Sequence, residues 1–161
     1  MIYGISGRPG AGKSYECVTK HIIPALNDKR KIITNIPLNL EWFVNVYGPD
    51  VRELIVLVDG DYHNYGSKRP FSSAPDFLKY DTWRNEKNQG VYFFIDECHL
   101  AMPAGGTDKE LKEYLSMHRH YGHDIMLLTQ NFRKVDRDVK DMVNTCYFCT
   151  KLSMLANDNQ Y

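Results

Sequence analysis

The segment from Gly7 to Ser14, which reads GRPGAGKS, constrains this chain more than any other part of its sequence. It matches G-x-x-x-x-G-K-[ST], the pattern of phosphate-binding loops. Glycine reaches backbone dihedrals that strain other residues, so the N–H groups of such a loop can turn towards phosphate oxygens. An apolar stretch, residues 1–6, precedes the segment, and apolar residues at helical spacing follow it from Tyr15. Strand, loop and helix in this order predict a nucleotide site.

Each part of the loop has a chemical role. Lys13 brings a positive charge to the β- and γ-phosphates, and the Ser14 hydroxyl suits a position on Mg²⁺. The amino terminus of the following helix adds partial positive charge at the same point. ATP and Mg²⁺ are therefore the expected cofactors. The residues expected to contact the nucleotide are Gly7, Arg8, Pro9, Gly10, Ala11, Gly12, Lys13, Ser14 and Tyr15. The alternative, a glycine turn that carries Lys-Ser by chance, does not account for the strand and helix on either side.

Two carboxylates follow the most apolar strand candidate, residues 91–95. Such a run is typical of a central parallel strand, and here its carboxyl end carries Asp96 and Glu97. Asp96 is expected to hold Mg²⁺, directly or through water. Glu97 is then placed to orient or deprotonate an attacking water. The alternative is that this pair only caps the next element.

A second polar strand end is expected after the apolar residues 125–128, where the chain reads Thr129-Gln130-Asn131. If this strand lies beside the acid strand, its tip can sense the γ-phosphate or the attacking water. Gln130 is the first candidate for that role and Thr129 the second. The alternative is a strand that simply ends in polar residues.

Composition is compatible with one ordinary domain. The chain has 161 residues, of which 43% are hydrophobic and 25% charged, and its formal net charge is zero. A zero net charge provides no overall basic field for nucleic acid, although a local patch is not excluded. No apolar run approaches the ~20 residues that span a bilayer, so we expect these residues to be soluble. Cys146 and Cys149 form a C-x-x-C on a predicted strand, where two buried thiols are expected rather than a metal site.

The remaining pattern gives further strands over 32–34, 54–58 and 145–152, and helices over 15–26, 41–47, 75–83, 107–121 and 135–143. Pro24 is expected to kink or close the first helix. Residues 36–90 are too long for a plain connection between two core strands, so we interpret them as an irregular insertion within a single domain, residues 1–161.

These elements predict a three-layer α/β fold, with a mostly parallel sheet and helices on both faces. A catalytic acid after the Mg²⁺ acid, with a polar strand tip, favours the additional-strand (catalytic Glu) type of P-loop NTPase. In that type a further strand separates the loop strand from the acid strand. The predicted sheet order is the last strand, the loop strand, the Gln130 strand, the Asp96 strand and the Ile33 strand.

The chain resembles the N-terminal domain of zonula occludens toxin (Zot) and the related gene I assembly proteins of filamentous phages. The resemblance covers nearly the whole sequence. It depends on Met-Ile-Tyr at the start, the phosphate loop, Ile33-Thr34-Asn35-Ile36-Pro37, Phe94-Ile95-Asp96-Glu97, the block from His118 to Ile125, and Leu128-Thr129-Gln130. The block with its arginine, followed by strand and Thr-Gln, is more specific than the phosphate loop alone.

The resemblance implies an ATPase domain on the cytoplasmic side of a bacterial inner membrane, which drives assembly and export of filamentous phage. It implies a homo-oligomer, phage coat and assembly proteins as partners, and single-stranded phage DNA as a further candidate. In such proteins a membrane span and a periplasmic segment follow the ATPase. We therefore expect this chain to be the cytoplasmic part of an inner-membrane protein that is anchored by a segment outside it.

Two other function classes share the loop. A nucleotide or small-molecule kinase usually has an arginine-rich lid and an acceptor pocket instead of the acid pair followed by Thr-Gln. A non-hydrolysing, nucleotide-gated interaction module would not need Glu97.

Arg119 is the remaining catalytic candidate, and its role follows from topology. The helix over 107–121 must return to the opposite edge of the sheet before a parallel strand can begin at Ile125. Arg119 then lies roughly 15–20 Å from the phosphates of its own subunit. We therefore expect it to act as an arginine finger on a neighbouring subunit, with a surface ion pair as the alternative.

Overall fold

A parallel six-stranded sheet forms the centre of the computed structural model, which describes residues 1–58 and 69–150. The strands are β1 (Ile2–Gly7), β2 (Ile32–Thr34), β3 (Ile55–Leu57), β4 (Tyr92–Ile95), β5 (Asp124–Thr129) and β6 (Thr145–Cys149). Their order is β3-β2-β4-β5-β1-β6, and every neighbouring pair is parallel. The predicted order of five strands is confirmed, and β3 extends the sheet beyond β2.

Helices cover both faces of the sheet, as expected. They are α1 (Lys13–Cys17), α2 (Ile23–Asn27), α3 (Leu40–Tyr47), α4 (Pro75–Leu78), α5 (Cys98–Ala101), α6 (Lys109–Met117) and α7 (Arg137–Asp141). Side chains of the residues before α3, α6 and α7 accept hydrogen bonds from first-turn N–H groups, which would otherwise lack partners. These caps belong to Asn39, Asp108 and Asp136.

The sheet divides the apolar core into two layers. On one face, α1, α2 and α3 cover side chains such as Ile5, Phe94 and Leu128. On the other face, α4 to α7 cover the alternate positions, including Phe93 and Leu127. β4 is buried along its whole length, which explains why its sequence is continuously apolar rather than alternating. The described part of the proposed insertion supplies β3 to the sheet and α3 and α4 to its two faces.

Pro24 does not end the first helix. A π-helical turn, Val18–Ile22, joins α1 to α2, and the N–H group of Ile23 donates to the carbonyl of Val18. Pro24 has no N–H group to donate to the preceding turn. The wider π-helical turn comes just before it, and the helical path continues to Asn27.

Three helices are shorter than predicted. α6 covers Lys109–Met117 instead of 107–121, and a 3₁₀ turn, His118–Tyr121, follows it. α4 ends at Leu78 instead of residue 83, because the backbone continues in i→i+3 turns and Arg84 donates to the carbonyls of Asp81 and Trp83. α7 begins at Arg137 instead of residue 135, because Val135 is extended and forms an isolated antiparallel bridge with Pro103. Residues 59–68 of the proposed insertion and the end of the strand expected over 145–152 lie outside the described residues.

The prediction that both thiols of the cysteine pair are buried is wrong. Cys146 is exposed and Cys149 half-buried, because β6 is an edge strand that has few residues above it in the described structure. None of the helices in residues 1–58 and 69–150 has the length and apolar character needed to cross a membrane.

Candidate nucleotide site

The candidate site lies at the carboxyl edge of the sheet, where β1, β4 and β5 end. The glycine loop follows β1, the acid pair follows β4, and Thr129-Gln130 closes β5. Because β5 separates β1 from β4, the axes of the loop strand and the acid strand are about 10 Å apart. That spacing leaves room for a phosphate group and a cation between the loop and the acids.

The loop requires glycine at two positions for different reasons. A Cβ on Gly7 would lie 2.5 Å from the carbonyl oxygen of Cys149, so the end of β6 presses directly against the start of the loop. Gly12 has open space around it, but its φ of 88° lies in the left-handed region. This turn at Gly12 directs the chain into α1, whose first residue is Lys13.

Lys13 folds back over the loop and is largely buried, with 8% of its surface exposed. Its Nζ donates to the carbonyls of Gly7 at 3.1 Å and of Arg8 at 3.4 Å. A buried ammonium group requires compensating negative charge or dipoles, and two carbonyl oxygens supply only part of this. The loop therefore fits an anion, and the half-buried Ser14 hydroxyl in the first turn of α1 can reach a cation beside that anion.

Asp96 is held in position by Asn35, which follows β2. The amide of Asn35 donates to the carbonyl of Asp96 at 3.0 Å, and the N–H group of Asp96 donates to Oδ1 of Asn35 at 2.7 Å. Burial raises the pKa of the Asp96 carboxyl above its usual value, and the charge of Glu97 also raises it, whereas the backbone N–H group of Glu97 and the charge of Lys13 oppose the shift. A carboxylate desolvated in this way fits a divalent cation, which would restore the charge balance.

Glu97 turns its side chain into the site because its backbone is left-handed, with φ 48° and ψ 44°. Gln130 Nε2 donates to Oε1 of Glu97 at 3.3 Å. The other oxygen, Oε2, is buried and lies 3.3 Å from Nδ1 of His99, in the first turn of α5. The same His99 nitrogen lies 3.3 Å from the Thr129 hydroxyl. The structure thus brings together Glu97 and both candidates at the end of β5.

Two residues of this arrangement were not expected from the sequence. Asn35 is detectable in principle, because β2 and β4 are adjacent and parallel, with Thr34 opposite Phe94. A polar residue one position after β2 therefore lies beside the end of β4. His99 gives no comparable signal, since its contact with Glu97 depends on the turn between β4 and α5.

Arg119 lies elsewhere. It belongs to a 3₁₀ turn, His118–Tyr121, after α6, and its Nη2 is 3.0 Å from the sulfur of Met1. Met1 precedes β1, and the loop follows the six residues of that strand, so Arg119 is roughly 20 Å from the phosphate loop of its own chain.

A groove of about 490 Å³ continues from the loop towards β6. Ala11 and Gly12 form its end at the loop, and its sides include Tyr15, Glu16 and Tyr147. Tyr15 is 74% exposed, and the ring of Tyr147 lies 5.3 Å from that of His21.

Comparisons with known proteins agree with this arrangement. The model of a family described as Zonular occludens toxin (Zot) matches residues 1–161. The zona occludens toxin of Vibrio cholerae is 27% identical over 161 aligned residues, which cover 88% of this chain and 38% of the relative. The chain therefore corresponds to well under half of that relative's length.

Solved structures show the same fold. The N-terminal domain of zonular occludens toxin from Neisseria meningitidis is 24% identical, with a TM-score of 0.58 over 95% of this chain and 78% of that one. The genome packaging NTPase B204 of Sulfolobus turreted icosahedral virus 2, in complex with AMPPCP, is 19% identical, with a TM-score of 0.62 over 96% of this chain and 78% of that one. The predicted P-loop NTPase fold is thereby confirmed.

Proposed function

Because the chain belongs to the Zonular occludens toxin (Zot) family, we propose that it is a Mg-ATP-hydrolysing motor domain that powers filamentous phage assembly and export through a bacterial inner membrane. The observation that carries this proposal is the convergence of Lys13, Asp96, Glu97 and Gln130 at one edge of the sheet. The packaging NTPase with the same fold, solved with AMPPCP, supports nucleotide as the ligand and motor work as the purpose.

The proposed reaction is attack of water on the γ-phosphorus of ATP, which forms a new P–O bond and breaks the bond to the β–γ bridging oxygen. ADP and inorganic phosphate are the products. Glu97 accepts the proton that the water loses, and Gln130 orients the water next to Glu97 Oε1. Lys13 neutralises charge that builds up on the phosphates. Mg²⁺, held by Ser14 and Asp96, would supply further positive charge to the phosphate oxygens.

The proposed setting is a homo-oligomer on the cytoplasmic side of the membrane, working on phage coat proteins or single-stranded phage DNA. Support comes from family membership. An oligomer would also give Arg119, which lies too far from its own loop, a neighbouring site on which to act. The zero net charge of the chain does not favour nucleic acid over protein as the moved substrate.

Two substitutions test the nucleotide chemistry. Lys13→Ala should greatly weaken ATP binding, since it removes a buried charge that faces two phosphates. Glu97→Gln should retain ATP and slow hydrolysis by about 100-fold or more, since it removes the proton acceptor and leaves the loop intact. Nucleotide titration and phosphate release measure the two effects. If Lys13→Ala binds ATP normally, the site has been assigned wrongly.

The same assay separates the alternatives. A motor releases ADP without an added acceptor, whereas a kinase requires one. Turnover that is unchanged in Glu97→Gln, or absent from the wild-type assembly, would favour a nucleotide-gated module that does not hydrolyse.

A further inference from the structure

We infer that His99 is a positioning residue for Glu97: it holds one oxygen of the carboxylate so that the other faces Gln130 and the attacking water. This inference rests on the proposed hydrolysis, since a positioned base has a purpose only where water must be activated. It concerns a residue that the phosphate loop and the acid pair do not include.

The contacts of Glu97 differ between its two oxygens. Oε1 accepts a hydrogen bond from the side-chain amide of Gln130 at 3.3 Å, so this oxygen faces the residue that follows β5. Oε2 is buried, and within the described ranges it receives no hydrogen bond of regular geometry. The charged partner that the structure pairs with this oxygen is His99, whose Nδ1 lies 3.3 Å away. A buried carboxylate oxygen without a donor is costly, so a small rotation of the His99 ring that completes this hydrogen bond is favourable.

Two neighbours fix the His99 ring in this place. His99 lies in the first turn of α5, which begins directly after the left-handed residue Glu97, so the backbone turn aims the imidazole back at the carboxylate. The same ring nitrogen also lies 3.3 Å from the hydroxyl of Thr129, which can donate its own proton to the carbonyl of Asn131 at 3.4 Å. Thr129 is fully buried, and its hydroxyl also accepts from the N–H group of Asn131 at 3.3 Å. The imidazole of His99 is thus held against Thr129, a buried residue at the end of β5.

The arrangement distinguishes the roles of the two oxygens. His99 donates through Nδ1 to Oε2, and Oε1 remains available to accept a proton beside Gln130. Without His99 the carboxylate of Glu97 can rotate about the bond to its carboxyl carbon. In some of the resulting orientations, Oε1 no longer faces the water. A displacement of about 1 Å at a reacting group can cost up to 100-fold in rate, and nucleotide binding need not change.

Three substitutions at one position test this. In an asparagine, a side-chain nitrogen takes the place of Nδ1, whereas a glutamine amide reaches only the place of Nε2. His99→Ala and His99→Gln should therefore lower kcat by roughly tenfold or more, while the affinity for ATP stays the same. His99→Asn should restore most of the wild-type kcat. His120→Ala, which removes an exposed histidine at the opposite edge of the sheet, is the matched control and should behave as wild type.

A spectroscopic measurement tests the contact without turnover. In ¹⁵N spectra of the imidazole rings, His99 should show a protonated Nδ1, and Glu97→Ala should shift that signal while His120 is unaffected. An unshifted His99 signal overturns the inference. It is also overturned if the wild type hydrolyses ATP and His99→Ala does so at the same kcat, or if His99→Gln rescues as well as His99→Asn. If the wild-type assembly has no turnover at all, the proposed function fails instead, and the spectrum alone decides whether His99 holds Glu97.

Discussion

His123 is a fully buried histidine that the fold keeps uncharged. It is 1% exposed, its Nδ1 lies 2.7 Å from the Tyr114 hydroxyl, and its Nε2 lies 3.4 Å from the carbonyl oxygen of Tyr80. A carbonyl oxygen can only accept, so Nε2 carries the proton and Nδ1 accepts from Tyr114. Burial lowers the pKa of His123 to about 4, because the charged imidazolium would lose its hydration.

This residue should make stability depend on pH in a defined window. The unfolded chain protonates His123 near pH 6.5 and the folded chain only near pH 4, so its contribution is fully present above pH 6.5 and is lost as the pH falls towards 4. The loss amounts to about 3 kcal/mol. Denaturant titrations at several pH values measure it. In His123→Gln this part of the pH dependence should disappear.

His120→Gln provides the matched control, because it makes the same replacement at an exposed histidine. Buried His118, whose pKa is also lowered by burial, should contribute in the same direction and remain in both variants. Equal pH dependence in wild type and His123→Gln would contradict the buried, neutral state of His123.

At the site, the sequence predicts those residues whose position is determined by the order and direction of the strands. In parallel strands, residues after the carboxyl ends share one edge of the sheet, which brings Asp96 and Gln130 to the loop of Lys13. The contacts of His99 follow from something else, a left-handed residue at position 97. Glutamate rarely adopts that conformation, so no sequence pattern indicates it.

Among the elements, β6 has the most consequence for the nucleotide. Its register places Cys149 opposite Gly7 and Tyr147 opposite Ile5, so the end of this strand lies directly beside the loop. Tyr147 shares the face of the sheet that α1 covers, and it forms a side of the groove that begins at Ala11. A nucleotide whose phosphates occupy the loop can extend its base into this groove, where the aromatic rings offer a stacking surface.

Tyr147→Ala should therefore weaken the binding of ATP and leave the binding of inorganic triphosphate unchanged. Stacking of a base on an aromatic ring is worth ~1–3 kcal/mol, which corresponds to about 5- to 150-fold in affinity. Competition titrations with the two ligands measure the difference. Trp42→Ala, in the partly exposed α3, is the control and should change neither affinity. Equal weakening of both ligands would mean that Tyr147 supports the loop rather than the base.

The elements also show where sequence patterns are insufficient. Residues 75–83 have helical spacing, yet α4 stops at Leu78 and the backbone continues in i→i+3 turns, where Arg84 donates to the carbonyls of Asp81 and Trp83. α5 is four residues long, too short for periodicity to reveal. The strands β2, β4 and β5, by contrast, are almost entirely buried and mostly apolar, and they lie within a residue or two of their predicted places.

In the whole molecule, the candidate catalytic groups lie at opposite ends of the parallel strands. Lys13, Asp96 and Glu97 lie at the carboxyl edge, and Arg119 lies at the other edge, beside Met1. At roughly 20 Å from its own loop, an arginine side chain cannot reach the γ-phosphate of the same subunit. A head-to-tail ring, however, brings unlike surfaces of neighbouring copies together, so the Arg119 surface of one copy can face the loop of the next.

Two inactive variants of the full-length protein test this arrangement. Lys13→Ala lacks the nucleotide site but retains Arg119, and Arg119→Ala has the reverse defect, so each should form assemblies that do not hydrolyse ATP. In mixed assemblies, some interfaces pair an intact Lys13 site with an intact Arg119 from the neighbour. For random 1:1 mixing about a quarter of the interfaces are of this kind, so phosphate release should partly return. A single-subunit mechanism cannot give this recovery, because every subunit in the mixture carries one defect. The trans role of Arg119 is wrong if verified mixed assemblies stay inactive, or if Arg119→Ala hydrolyses ATP normally by itself.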